Sequence, residues 1–152
     1  MSPQAFEALL PLACAWAEEQ EQLILARGVR LTEAQMADAL RIGIAFSDRV
    51  RLMKTDQIPL PKHPELRSVA QETGLLSPDT VGLTVRYGIY IHSTAWGARQ
   101  LVVHELVHVR QYEQLGGFDA FLRKYLGECV TIGYPHAPLE QEAHVIAAKI
   151  CP

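Results

Sequence analysis

Residues 97–117 read GARQLVVHELVHVRQYEQLGG. The Gly116-Gly117 pair is a C-terminal helix stop, and Leu101, Val102, Val103, Leu106 and Val107 crowd the middle of the run. That density of apolar neighbours predicts a largely buried helix. Inside it lies His104-Glu105-Leu106-Val107-His108, an HExxH motif. Residues four apart stack on one helix face, so His104 and His108 can offer two imidazoles to one metal ion, zinc by the habit of such pairs. Glu105 is one step round the helix. It cannot ligate in the same geometry, but it can reach an attacking water, which is the general-base position of a zinc hydrolase. The competing explanation is a pair of hydrogen-bonded core histidines. Without a shared purpose, burying two histidines and a glutamate costs on the order of several kcal/mol.

Upstream, residues 81–92 read VGLTVRYGIYIH. As one strand, Leu83, Val85, Tyr87, Ile89 and Ile91 share a face, with Thr84, Arg86, Tyr90 and His92 opposite. Gly88 offers a turn, which favours a hairpin bending near Arg86–Gly88. Downstream, Phe118 to about Val130 predicts a helix with Phe118, Phe121, Leu122 and Tyr125 on one face. Residues 133–138 read as a loop, and 139–150 as a last helix.

The N-terminal half is helical in pattern. Ser2-Pro3 opens a helix to about Ala26, stopping at Gly28, with Phe6, Leu9, Leu10, Ala13, Cys14, Ala17 and Ile24 at helical spacing. Pro11 stands where it can kink or split that helix. Thr32 and Gln35 form a capping box for a second helix through Ala34, Ala37, Leu40 and Ile44. Residues 49–60 read as a short strand ending in Pro59, Pro61 and Pro64. Pro64 to Thr73 is a short helix stopped by Gly74. The sum is an α+β fold: one mainly helical domain over 1–152, with a small antiparallel sheet or β-hairpin before the HExxH helix. Residues 1–80 are its helical N-terminal part, and 81–152 carry the hairpin and the site helices.

A catalytic zinc takes three protein ligands and keeps one position open. The extended HExxHxxGxxH form is absent, because Gln111 and Gln114 occupy the last two landmarks. Cys14 is remote and Cys129 is downstream, so neither supplies a cysteine ligand just before the helix. A downstream carboxylate is the best remaining source. Glu140 and Glu142 are candidates, and two residues apart on a helix they cannot both face one ion.

HELVHVRQY, followed roughly thirty residues later by PLEQEA, resembles the gluzincin-type zinc metallopeptidases, and more narrowly their small single-domain members. The resemblance spans about residues 83–144. It implies a zincin-like fold, bound zinc, and Glu140 as third ligand, because Ala143 follows it by three; Glu142 stands in reserve. It implies a zinc-dependent metallopeptidase with Glu105 as general base. The substrate would be a peptide or protein, added as a strand at the sheet edge built from 83–92. The alternative is a non-catalytic zinc-binding interaction module with the same fold. His144 departs from the pattern, since many relatives carry an Asp there that orients the first histidine. A histidine can make that hydrogen bond or compete as a ligand.

Gln111, one turn beyond His108, can bond a ligand or serve as a packing amide. Tyr134 and His136 are candidates for stabilising an oxyanion. His92 either lines the cleft or stands exposed, and His63 reads as a plain surface residue.

The chain has 152 residues, 49% hydrophobic and 20% charged, which suits one folded domain. Seventeen acids against fourteen bases give a net charge of −3. That argues against a nucleic-acid partner, whose phosphates need a clustered basic surface. No apolar run approaches the roughly 18 residues that span a bilayer. Residues 8–17 imitate a signal core, but Glu7 stands where positive charge is needed. Three cysteines without a CxxC pair suit a reducing compartment, so the expected location is cytoplasmic. So short a chain leaves little wall on the far side of a substrate cleft.

Overall fold

A computed structural model describes residues 1–152. Six helices surround a four-stranded sheet. In chain order these are α1 (Pro3–Arg27), β1 (Val29–Arg30), α2 (Glu33–Ile42), β2 (Arg51–Thr55), α3 (Pro64–Glu72), β3 (Gly82–Val85), β4 (Gly88–His92), α4 (Arg99–Leu115), α5 (Phe118–Thr131) and α6 (Pro138–Ile150). The expected α+β class holds. No helix is long and apolar enough to cross a membrane.

The sheet is mixed rather than antiparallel. Its order is β1-β2-β4-β3, and β2 runs parallel to β4, with Leu52 beside Ile89 and Lys54 beside Ile91. A parallel pair needs a crossover, here the segment carrying α3 and β3. The two-residue β1 has no pattern of its own and exists through its pairing with β2.

The hairpin forms, but its turn is Arg86-Tyr87, and Gly88 is the first residue of β4. Arg86 takes a left-handed φ of 61°, which a residue other than glycine adopts at a cost. Buried Glu21 of α1 offsets it. Its carboxylate accepts from the Arg86 Nε and Nη2 at 2.7 Å each and from the Tyr87 backbone N–H at 3.0 Å. The two-residue turn also changes the faces read from a single strand. Leu83 pairs with Tyr90 and Thr84 with Ile89, so Leu83, Val85 and Tyr90 lie on one side and Thr84, Ile89 and Ile91 on the other.

Each side has its own core. Val85 and Tyr90 join Leu10, Ala17, Ile24, Phe121 and Leu122. Ile89 and Ile91 join Ala39, Val103, Leu106, Val107, Ala143 and Ala147. The sheet is therefore covered on both faces, by α1 with α5 and by α2, α4 and α6. Gly88 allows the approach of α1, because a Cβ there would stand 3.0 Å from the Ile24 Cβ.

The N-terminal helices differ from expectation in detail. α1 runs unbroken through Pro11, which faces solvent, where a missing hydrogen bond is least costly. α2 buries Asp38, Ala39 and Ile42, while Leu40 stays 76% exposed. Asp38 turns inward because its carboxylate accepts from Arg99, the first residue of α4, at 2.9 and 3.0 Å. His63 is exposed, as expected, and adds a local role: its Nδ1 accepts from the Leu66 N–H and caps α3. The strand expected over 49–60 is shorter, at 51–55.

Candidate metal centre

α4 carries the HExxH run through the core, with His104, Glu105 and His108 all buried. α6 packs along it, and the small Ala143 and Ala147 permit the close fit. No side chain of residue 137 caps α6. Instead Glu128 of α5 accepts from the Leu139 N–H at 2.9 Å and fixes the helix start. Glu140 follows in the first turn, where the helix dipole favours a carboxylate.

Glu140 is only 1% exposed and sits between the two histidines. Its Oε1 is 2.6 Å from His104 Nε2, and its Oε2 is 3.1 Å from His108 Nε2. One ligand atom from each residue falls within 4.8 Å of the others, so the three can hold a metal ion. Tetrahedral zinc with bonds near 2.1 Å sets its ligand atoms roughly 3.4 Å apart. The two nitrogen–oxygen distances, 2.6 and 3.1 Å, lie on the short side of that spacing, and all three donor atoms fall within 4.8 Å of one another. The charges fit as well. Two buried carboxylates, Glu105 and Glu140, face two imidazoles, and a divalent cation balances them without protons.

The surrounding hydrogen bonds orient the set. The Tyr125 hydroxyl donates to Glu140 Oε2 at 2.7 Å, and that of Tyr134 to Oε1 at 3.2 Å. His108 Nδ1 lies 2.7 Å from Gln111 Oε1. Carbonyl oxygens only accept, so Nδ1 carries the proton there and Nε2 is the nitrogen left for a metal. Gln111 is itself held, donating to the Leu139 carbonyl at 2.9 Å and to Glu142 at 3.0 Å. It therefore hydrogen-bonds a candidate ligand, His108, as one of its two expected roles had it, and also ties α4 to the start of α6. Glu142 is exposed, meets α4 at Gln111 and Arg110, and does not belong to the convergent group.

Glu105 is positioned by the hairpin. Thr84 Oγ1 lies 2.9 Å from Glu105 Oε1 and 3.0 Å from its backbone oxygen. Glu105 Oε2 is 3.9 Å from His104 Nε2, beside the convergence point without belonging to it.

The remaining candidates separate clearly. The His144 ring meets that of His104 edge to face, with centroids 4.6 Å apart. It makes no hydrogen bond to that ring and lies outside the convergent three. Tyr134 is at the site. His136 is exposed and lines neither cavity there. His92 Nδ1 turns back on Thr94 at 2.8 Å, away from the cleft. Two groups were hidden in the sequence. Tyr125 sits on the apolar face of its helix, so only its hydroxyl marks it. Thr84 is one strand residue among several.

The pKa pattern follows the geometry. Burial pulls His108 down, but the Glu140 hydrogen bond and the nearby carboxylate charges outweigh it and lift His108 to about 9. Burial alone would raise Glu140; the hydrogen bonds from both histidines reverse this and hold it far below the carboxylate range. Burial beside Glu140 pushes the Tyr125 and Tyr134 phenols up, so both stay protonated donors. Zinc must displace the His108 proton. Below pH about 9, zinc affinity is therefore expected to rise by about tenfold per pH unit, with close to one proton released on binding. Calorimetry in buffers of different ionisation enthalpy measures that release. Affinity independent of pH between about 6 and 7.5 contradicts it.

No family model matches this chain, no curated protein matches it, and no solved structure matches it.

Proposed function

We propose that this protein is a zinc-dependent hydrolase of peptide bonds, with His104, His108 and Glu140 as metal ligands and Glu105 as general base. The observation that carries the reading is the aim of two Nε2 atoms at one buried carboxylate with a second, independently anchored carboxylate beside them. A structural pair of core histidines needs only one of those carboxylates. The interaction-module alternative needs no anchored Glu105 either.

A bound zinc would lower the pKa of water to about 7 and polarise the scissile carbonyl. Glu105 takes the proton of the attacking water at the oxygen not held by Thr84, and later returns it to the leaving amine. The Tyr134 hydroxyl, at the same opening, would exchange its long 3.2 Å bond to Glu140 Oε1 for the carbonyl oxygen as negative charge develops there. The outer strand β3 offers its free edge to an extended substrate.

The test is metal analysis of purified protein together with cleavage of a peptide mixture, with and without chelator. The expected result is near one zinc per chain, lost in His104→Ala, and cleavage that chelation stops and zinc restores. Failure to take up zinc on reconstitution sinks the reading.

β3 meets Glu105 through Gly82. A Cβ there would stand 3.0 Å from Glu105 Cγ, Cδ and Oε2, so Gly82→Ala must push the carboxylate aside. Cleavage is expected to fall by about two- to tenfold, since the carboxylate must shift by a few tenths of an ångström where a 1 Å misplacement costs about a hundredfold, while zinc content stays near one per chain. Parallel rate and metal measurements check this.

A further inference from the structure

Gly82 meets the metal centre at one end of the β3–β4 hairpin. At the other end, Glu21, Leu25, Arg49, Arg51, Arg86 and Tyr87 line an open groove of about 440 Å³. None of the six lines the cavities beside the HExxH helix. Each guanidinium here is positioned, and each has donors to spare. Arg86 gives Nε and Nη2 to Glu21 at 2.7 Å each, which leaves Nη1 without a partner. Arg51 gives Nη1 to the Asp48 and Val50 carbonyls at 2.8 and 2.9 Å, which leaves Nε and Nη2. The adjacent Asp48 thus offers Arg51 its backbone oxygen, not its carboxylate. Arg49 makes no hydrogen bond or ion pair. Its guanidinium lies 4.2 Å from the Phe46 ring centre and 5.8 Å from that of Tyr87, and the rings orient it without using a donor.

Three guanidinium charges against the one carboxylate of Glu21 leave two positive charges in the groove. A fourth arginine adds to them. Arg30 of β1 stands directly opposite Arg51 of β2, and like charges opposite each other destabilise a strand pair. The C-terminal end of α1 favours a cation nearby, but Arg27 in its last turn supplies that. Arg86 is also kept at a left-handed φ of 61°, in a turn position where glycine or asparagine would be relaxed. Such strain persists where a side chain is needed in place.

We propose that this groove is an anion site for the phosphate group of a small soluble phosphate monoester. Such a group carries about −1.5 to −2 charges at neutral pH, which matches the excess. Its oxygens point in several directions, as three separate guanidiniums do, whereas one arginine fork is enough for a carboxylate. Leu25 lines the groove and Phe46 lies against Arg49; both are exposed, at 40% and 47%, and give the organic part of the ester an apolar contact. The net charge of the chain is −3, so the positive charge is confined to this groove, which suits one phosphate rather than a polyanion. The site shares no residue with the metal centre and does not depend on the hydrolase reading.

The test is an NMR titration of isotope-labelled protein with phenyl phosphate. It is followed at the backbone amides of Arg51, Tyr87 and Gly88, so that capture of phosphate at the metal centre is read at other residues. Saturable shifts at those amides are expected by about 10 mM ligand. Benzoate, with a single negative charge, is expected to bind at least about fivefold more weakly. Arg49→Gln and Arg51→Gln should each weaken phenyl phosphate by at least about fivefold. Arg49 has no hydrogen-bond partner to lose, so that variant keeps the fold, and thermal melts check both. No saturable shift at the groove, or binding that both variants leave unchanged, overturns the site. Equal binding of benzoate overturns the phosphate assignment. Sedimentation with phosphatidylcholine vesicles that carry phosphatidic acid separates the sources of phosphate. The protein is expected to stay in solution; sedimentation that Arg49→Gln abolishes overturns the soluble ester in favour of a lipid headgroup.

Discussion

Glu105→Gln is expected to abolish peptide cleavage while leaving zinc in place. Glutamine has the same shape, and its carbonyl oxygen still accepts from the Thr84 hydroxyl, which lies 2.9 Å from Oε1 in the parent. The helix, the two histidines and Glu140 lose no hydrogen-bond partner, only the charge of Glu105 3.9 Å from His104. With it goes the ability to take a proton. General-base removal lowers rates by about 10²- to 10⁴-fold, so the loss should be in kcat rather than in KM. Elemental analysis and steady-state kinetics on the same preparation decide the matter. A variant that keeps zinc and loses cleavage is what the hydrolase predicts. Undiminished cleavage would remove Glu105 from the chemistry. Under the interaction-module alternative the substitution changes no function at all.

The site was legible in the sequence where its signal is local. HExxH declares itself because four residues make one helical turn, and Leu106 and Val107 between the histidines place that turn in the core. Pattern narrows the third carboxylate to Glu140 or Glu142, and helix geometry separates them: α6 turns Glu140 to the two histidines of α4 and leaves Glu142 exposed, one turn further along α4 at Gln111. The supporting groups were not legible, and the reasons are physical. Tyr125 stacks on Phe121, with centroids 5.3 Å apart, and reads as one more aromatic on an apolar face. Its hydroxyl matters only because α6 arrives above it. Read as one strand, 81–92 puts Thr84 on the face of Tyr90, whereas the two-residue turn shifts the alternation and sets it beside Ile89. The parallel pairing of β2 with β4 joins residues more than thirty apart, and no short window of sequence encodes that. Leu40 shows the same limit from the other side. Its spacing suits a buried stripe, yet the Asp38–Arg99 pair rotates α2 so that Leu40 faces solvent.

Glu140→Ala is expected to remove the metal and to destabilise the metal-free protein at once. The carboxylate receives four contacts, from His104, His108, Tyr125 and Tyr134. Truncation leaves these four polar groups facing a hole, and at 1% exposure solvent cannot fully replace the lost partner. Breaking a buried, hydrogen-bonded charge pair costs about 3–5 kcal/mol, which for a domain of this size is a fall in Tm of roughly 10 °C. Zinc adds the second readout. A ligand at a thousand times its Kd stabilises by about 4 kcal/mol, so zinc should raise the melting temperature of the unmodified protein and fail to raise that of the variant. Glu142→Ala is the contrast. Its side chain is exposed and touches the site only through Gln111, so zinc should stabilise that variant nearly as much as the parent. Equal stabilisation of all three by zinc would show that the ion binds elsewhere. A Glu140→Ala protein that melts with the parent would mean that the four donors find other partners, and the buried carboxylate would then not be what holds α4, α5 and α6 together.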